Sequence, residues 1–389
     1  MGFLFQAFAD MDAVAIVMMI AMWLIGGGLI FLAIRFKIEP ALLLPLGFGC
    51  ILVNIPGTNV LTDPSVTNGH SGIIQWLFEV GIEASEAMPI LLFIGIGAMI
   101  DFEPLISNPK LFFLGGAAQL GIFITLVAAV ILGFEIKDAA SIAIIGAADG
   151  PTSIIVAQAL DSNYFAAIMV VAYSYMALVP IIQPPIIRLI TTKKERMIRM
   201  DQRPIRKVSK LTKILFPILV TMIAGLISPD SLALVGFLMF GNLIKECMVM
   251  DSMNDTAKNT LANLITLLLG ITIAFKMQAA DFLQVNTLII LALGLFAFTF
   301  DTIGGVMLAK LMNLFIRNPK NKINPMIGAA GISAFPMAAR VVHKMGQKED
   351  PGNYLLMHAA GANVSGQVAS AIVGGLILSL IPAAVAVIG

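Results

Sequence analysis

Long apolar runs separated by short polar turns fill most of the chain. At about 20 residues per membrane crossing, they predict spans over 14–34, 41–55, 88–100, 111–134 and 164–189 in the first half. The second half offers 214–227, 232–248, 261–275, 285–316 and 354–388. Two further segments, 140–160 and 323–339, are apolar but interrupted by Gly, Pro and polar residues. The first run, Ala13–Ile34, has no basic stretch before it and no small-residue cleavage site after it, so it reads as a retained span, not a removed signal peptide.

Composition supports this pattern. Of 389 residues, 59% are hydrophobic and 12% charged, against about 25% charged in soluble domains. A net charge of +1 argues against a nucleic-acid partner. Cys50, Cys247, His70, His343 and His358 are scattered without ligand spacing, which points away from disulfides, zinc and redox chemistry.

Charge sets the orientation. Ten of the 24 Lys and Arg residues fall between Arg188 and Lys213, offset only by Glu195 and Asp201, so this stretch is cytoplasmic by the positive-inside rule. Counting spans outward from it places Arg35, Lys37, Arg317, Lys320, Lys322, Lys344 and Lys348 on the same side.

The two interrupted segments resemble each other. "IGAADGPTS" begins at Ile145 and "IGAAGISAFP" at Ile327, a shift of 182 residues. Five spans plus one interrupted segment per half would turn the second copy upside down, a recurrent plan of secondary transporters. The predicted fold is an all-α polytopic membrane protein of two inverted-topology repeats, each of about five transmembrane helices plus a re-entrant or broken hairpin. Residues 1–190 form the first repeat, 191–213 a basic linker and 214–389 the second repeat. Non-helical backbone survives at membrane depth only when protein shields it or it lines a wet cavity. The tips of both segments would then offer carbonyls and helix ends to a dehydrated cation.

Asp149 is the leading candidate, because an intramembrane carboxylate is usually paired, wet or functional. Around the second interruption stand Asn324, Gly328, Ser333 and Arg340, and the last span carries Asn363, Ser365 and Gln367. Such oxygen ligands suit a hard ion such as sodium. Several residues admit two readings. Asn324 is a helix cap before Pro325 or a ligand. Tyr175 belongs to an aromatic belt, as Tyr164 and Tyr173 do, or to the site. Arg340 is a cytoplasmic anchor or a carboxylate receptor. Asp301, an intramembrane acid whose counterpart in the first half is Gln119, is structural or functional.

Three stretches carry a resemblance over essentially the whole chain: "GAADGPTSI", "GNLIKECMVMDSMNDTAKN" (241–259) and "NPMIGAAGISAFPMAARVVHKMGQKEDPGNYLLMHAAGANVSG" (324–366). They are similar to the β subunit of the biotin-dependent, sodium-pumping decarboxylases of bacteria, which act on oxaloacetate, methylmalonyl-CoA, glutaconyl-CoA or malonate. The resemblance implies a translocase in the bacterial inner membrane. Carboxybiotin, supplied by a biotin-carrying subunit after a carboxyltransferase subunit has loaded it, would be decarboxylated here, driving sodium ion export and consuming a proton. It further implies a small γ- or δ-type membrane subunit and a homotrimer with a core domain moving against a scaffold domain. By the same resemblance, Asp149, Tyr175, Asn324, Gly328, Ser333 and Arg340 handle sodium, proton or carboxybiotin, and Asn363 matches a sodium-site asparagine. The expected division gives sodium to Asp149, Asn324, Asn363 and tip carbonyls, the carboxylate to Arg340 and proton relay to Tyr175. The rival reading is a sodium-coupled carrier of an organic anion, and a third is a passive membrane anchor.

Overall fold

The computed structural model describes residues 11–37, 40–61, 72–84, 86–200, 208–318 and 321–388, and among them every regular element is helical. His70, Asp201, Lys320 and positions 201–207 of the basic linker lie outside the described residues.

Each expected span falls on a helix. In the first half these are α1 (Ala13–Phe36), α2 (Pro40–Val53), α3 (Ala87–Met99) and α4 (Leu111–Ile131, with a break at Ala118–Gln119). The first interrupted segment gives α5 (Ile136–Ala143) and α6 (Gly150–Ala159), and α7 (Phe165–Ile190) follows. The second half continues with α8 (Lys210–Ile227), α9 (Leu232–Cys247), α10 (Asp251–Lys276) and α11 (Val285–Phe315). After the second interruption come α12 (Met337–Glu349) and α13 (Leu356–Ile388).

Ten full crossings is nevertheless too many. Among the described residues six helices, α1, α4, α8, α10, α11 and α13, are long and apolar enough to cross a membrane, or up to eight spans if two bent pairs each count as one. The bent pairs are Ile73–Glu83 with α3, and the two halves of α7 on either side of Ala177, each bent by 67°. The sequence pattern missed the Ile73–Glu83 piece. With 14 and 16 residues, α2 and α9 extend about 21 and 24 Å at a rise of 1.5 Å per residue, short of the ~30 Å hydrocarbon thickness. The chain is thus an all-helical, multi-pass membrane protein.

Two large apolar clusters organise the interior. One joins α9, α12 and α13 with Val179 and Ile187 from the later part of α7. The other joins α1, α2 and the later part of α10 with residues 165–175 of α7.

Between helices in lipid there is little hydrophobic driving force, so close packing of small residues takes its place. At the α3–α9 crossing, a Cβ on Gly97 would fall on the Leu238 carbonyl, and one on Gly241 would fall on the Ile94 carbonyl. Gly97→Val is therefore expected to destabilise the protein by about 1–3 kcal/mol, the usual cost of overpacking. Gly27→Ala, which meets nothing within 4 Å, should leave thermal unfolding in detergent unchanged. Equal midpoints for the two variants would refute this view of the crossing.

Candidate functional site

The first interruption is a hairpin that returns to its starting point. A 3₁₀ turn, Ile144–Ala147, ends α5; Ala148 adopts a left-handed φ of 52°, and α6 starts at Gly150 with Pro151 in its first turn. The break lies at Ala148–Asp149, where the preference of a pre-proline residue against helical backbone does not apply directly; Pro151 instead serves as an ordinary early-helix proline. At the base, Asp138 Oδ1 accepts from Ser162 Oγ (2.7 Å) and Asn163 N (2.9 Å), and Oδ2 accepts from Asn163 Nδ2 (3.1 Å). The arms of the hairpin are thereby tied together.

The second interruption is built the same way with different residues. A single helical turn, Met326–Ala329, leads into irregular backbone over 330–336, after which α12 begins. Its two ends meet at Arg196. Asn324 Nδ2 donates to the carbonyls of Arg196 (2.8 Å) and Ile198 (2.9 Å), and Asn353 Nδ2 donates to the Arg196 carbonyl (3.1 Å). The Arg196 guanidinium donates to Glu349 at 2.8 Å. Since α7 starts beside the first base and ends beside the second, the two bases lie at opposite ends of that helix.

The tips touch. Ser333 N–H donates to the Ala147 carbonyl at 3.1 Å. The middle of α13 closes over the contact: Ser333 Oγ donates to the Gly366 carbonyl (2.9 Å), Asn363 Nδ2 to the Ile332 carbonyl (2.6 Å), and Gln367 Nε2 to the Ser333 carbonyl. Gly366 is required for this approach, because a Cβ there would meet the Gly331 carbonyl. Asp149, 3% exposed, accepts from Thr152 Oγ1 at 2.6 Å and from Ser370 Oγ at 3.4 Å. Ser370 also donates to the Gln367 carbonyl at 3.0 Å. Asp149, Ser370, Gln367, Ser333 and Ala147 thus form one connected ring of polar groups.

Several oxygens at this ring lack a donor. Asn363 Oδ1, Gln367 Oε1 and the Tyr173 hydroxyl are buried and have no hydrogen-bond partner among the described residues. Buried polar atoms are normally paired. Oxygens left open beside one carboxylate are a suitable coordination set for a hard cation.

Of the residues singled out from the sequence, the structure brings Asp149, Ser333 and Asn363 together. Asn324 is fully buried at the base of the second hairpin, and its Oδ1 also accepts from Met326 N (3.1 Å); none of its hydrogen bonds reaches the tips. Gly328 is a packing position, where a Cβ would meet the Gly305 carbonyl on α11. The Tyr175 hydroxyl donates to the Leu291 carbonyl at 2.6 Å, with its ring against Gly294. The tyrosine at the first tip is Tyr173, whose ring occupies the space a Cβ on Gly150 would need. Arg340 is exposed, in a cleft away from the ring. Asp301 is fully buried on α11; its Oδ1 accepts from Gly121 N (2.6 Å) at the break in α4. Ser365 donates to the Leu111 and Ala362 carbonyls and stays outside the ring. The sequence reading missed Thr152 and Ser370, although Asn363, Gln367 and Ser370 follow the i, i+4, i+7 spacing of one helix face.

Asp138→Ala should lower stability by roughly 2 kcal/mol, because it leaves buried donors unpaired. Tyr173→Phe, which removes no hydrogen bond, should stay within about 0.5 kcal/mol of the parent. Chemical or thermal unfolding of the purified protein would distinguish them, and an Asp138→Ala protein as stable as its parent would contradict the clamp.

The chain is similar to known proteins over nearly its full length. The family model described as Na+-transporting oxaloacetate decarboxylase beta subunit matches residues 18–381. The glutaconyl-CoA decarboxylase subunit beta of Acidaminococcus fermentans is 47% identical over 360 residues, covering 92% of each chain. The methylmalonyl-CoA decarboxylase subunit beta of Propionigenium modestum is 48% identical over 382 residues, 93% of this chain and 94% of the relative. The oxaloacetate decarboxylase beta chain of Klebsiella pneumoniae is 43% identical over 407 residues, 91% of this chain and 93% of the relative.

Proposed function

The chain belongs to the family of Na+-transporting oxaloacetate decarboxylase beta subunits, and from that premise we propose how its residues serve as the membrane subunit of a decarboxylase sodium pump. Carboxybiotin is brought by a biotin-carrying subunit, loaded by a carboxyltransferase subunit, and the ring at the two tips is the sodium seat. One negative charge at Asp149 with neutral oxygens of Ser333, Asn363, Gln367 and Ser370 matches a weakly hydrated monovalent cation better than a transition metal. The observation that carries this reading is the set of buried oxygens without donors beside Asp149.

Asn324 and Gly328 act indirectly in this scheme. Asn324 fixes the base of the second hairpin, and Gly328 lets that hairpin lie against α11. Arg340, exposed at the end where the basic linker starts, grips the incoming carboxylate with its planar fork. Tyr173 is the phenol placed to exchange a proton at the tip, and Tyr175 anchors α7 to α11 through Leu291. The two hairpins, entering from opposite ends with touching tips, fit an inverted-repeat plan in which access alternates around a fixed seat. The same reading places the subunit in a bacterial inner membrane, as a homotrimer with a small γ- or δ-type partner. The acyl substrate is chosen by the carboxyltransferase and not by this chain.

In the purified complex reconstituted in liposomes, Asp149→Asn is expected to lower sodium uptake and sodium-stimulated CO2 release at least about tenfold, equivalent to ~1.4 kcal/mol. Thermal stability should be retained, since the amide oxygen can still accept from Thr152. Unchanged activity would favour a passive anchor, and sodium uptake without any biotin carrier would favour an organic-anion symporter.

A further inference from the structure

A second feature lies away from the tips. A cleft of about 500 Å³ opens between the end of α1, the later part of α7 and α12. It lies within the ~300–1,000 Å³ range of small-molecule sites. Five cations line it, Lys37, Arg188, Arg340, Lys344 and Lys348, and among the described residues no acid does. All five are exposed, and among the described residues none makes an ion pair. Arg340, Lys344 and Lys348 stand at i, i+4 and i+8 on one face of α12, where like charges repel.

The nearby acids are engaged elsewhere. Glu349 accepts from Arg196 at 2.8 Å, and Asp350 accepts from Arg199 at 2.6 and 2.8 Å. The Arg199 guanidinium, helped by the Gly352 N–H, holds the Asp350 carboxyl below its ordinary value. Phe36, Pro184 and Met337 give the cleft apolar walls. A planar anion carrying an apolar ring is what such a surface would accept.

The walls come from different packing units. Val341, Val342 and Met345 of α12 belong to one large apolar cluster, and Met22 and Ala33 of α1 to the other. Phe36 and Lys37 therefore face the other four cations across the junction of the two clusters.

We propose that this cleft seats the N-carboxylated ureido ring and that Lys37, contributed by the opposite cluster, completes the site, so that the bound carboxylate holds the cleft shut until its charge is lost. The proposal rests on the role given to Arg340 above and extends it to Lys37, Arg188 and Lys344. On decarboxylation the N–C bond breaks, its electron pair remains on the ureido nitrogen, and that nitrogen takes up a proton. Carbon dioxide leaves uncharged and the ring is neutral. The anion that balanced the cations has then disappeared, and the repulsion among five clustered like charges, screened by solvent but no longer offset by a bound anion, separates α1 from α12. Chemistry and opening are linked by one lost charge.

The test is a labelling experiment on the reconstituted complex carrying Phe36→Cys with Cys247→Ser. Free carboxybiotin should slow reaction with a polar maleimide about tenfold, the effect of one strong charge-assisted contact, whereas biotin should not. Adding Lys37→Gln should remove the protection and raise the KM for carboxybiotin by a similar factor. Equal protection by biotin and carboxybiotin, or protection that survives Lys37→Gln, would overturn the closing role of Lys37. Arg340→Lys separates the two readings. If it raises the KM for carboxybiotin while Lys37→Gln does not, only the present inference fails; if neither variant has an effect, the earlier assignment fails as well.

Discussion

The contact between Ser333 N–H and the Ala147 carbonyl is the point on which the remaining structure turns. In an apolar surround an unpaired backbone group costs several kcal/mol, so a single interrupted helix would be forced back towards regular helix or towards water. Two interruptions that meet can satisfy part of each other's demand. The side chains of Asn363, Ser333 and Gln367 meet much of the rest by donating to exposed carbonyls of Ile332, Gly366 and Ser333. What is left unsatisfied at the ring is oxygen, on Asn363, Gln367 and Tyr173.

A contact between two tips is only as well placed as the two bases. Asp138 fixes one hairpin and the Arg196 segment fixes the other, each through three or more hydrogen bonds at a separate end of α7. Neither clamp shares a residue with the ring. Either hairpin can therefore shift with its own base, and the tip contact registers the relative position of the two ends. Such a ring converts a modest displacement at either end into a change in which of its polar groups stay paired.

Much of this was legible in the sequence. Each of the ten runs picked out by hydropathy falls on a helix, and Gly150, Pro151 and the Gly331–Pro336 stretch marked both interruptions. The length of α2 and α9 was not, because a short apolar run reads alike whether it crosses the bilayer or stops inside the protein. The clamps were also hidden. Asp138 does not stand out in the sequence and Asn324 reads as a cap or a ligand, and only their partners at Asn163 and Arg196 show that both are tied into backbone geometry. Tyr173 and Tyr175 are hard to tell apart from the sequence for a simple reason. Two residues on a helix point about 200° apart, so one faces the tip and the other faces α11, and no property of either side chain says which.

Asp149 and Asp301 show how two buried acids acquire different work. Asp301 accepts from a backbone N–H, that of Gly121 at 2.6 Å, where the second part of α4 starts. That donor belongs to the backbone and cannot turn away. Asp149 instead accepts from two hydroxyls, on Thr152 and Ser370. A hydroxyl carries lone pairs as well as a proton and can rotate. Both hydroxyls can therefore turn their protons away from Asp149 and leave oxygen lone pairs facing that space. Asp301 has no such alternative. Asp149 is thus the acid whose donors can reorient, and Asp301 is the one tied to backbone at the break in α4.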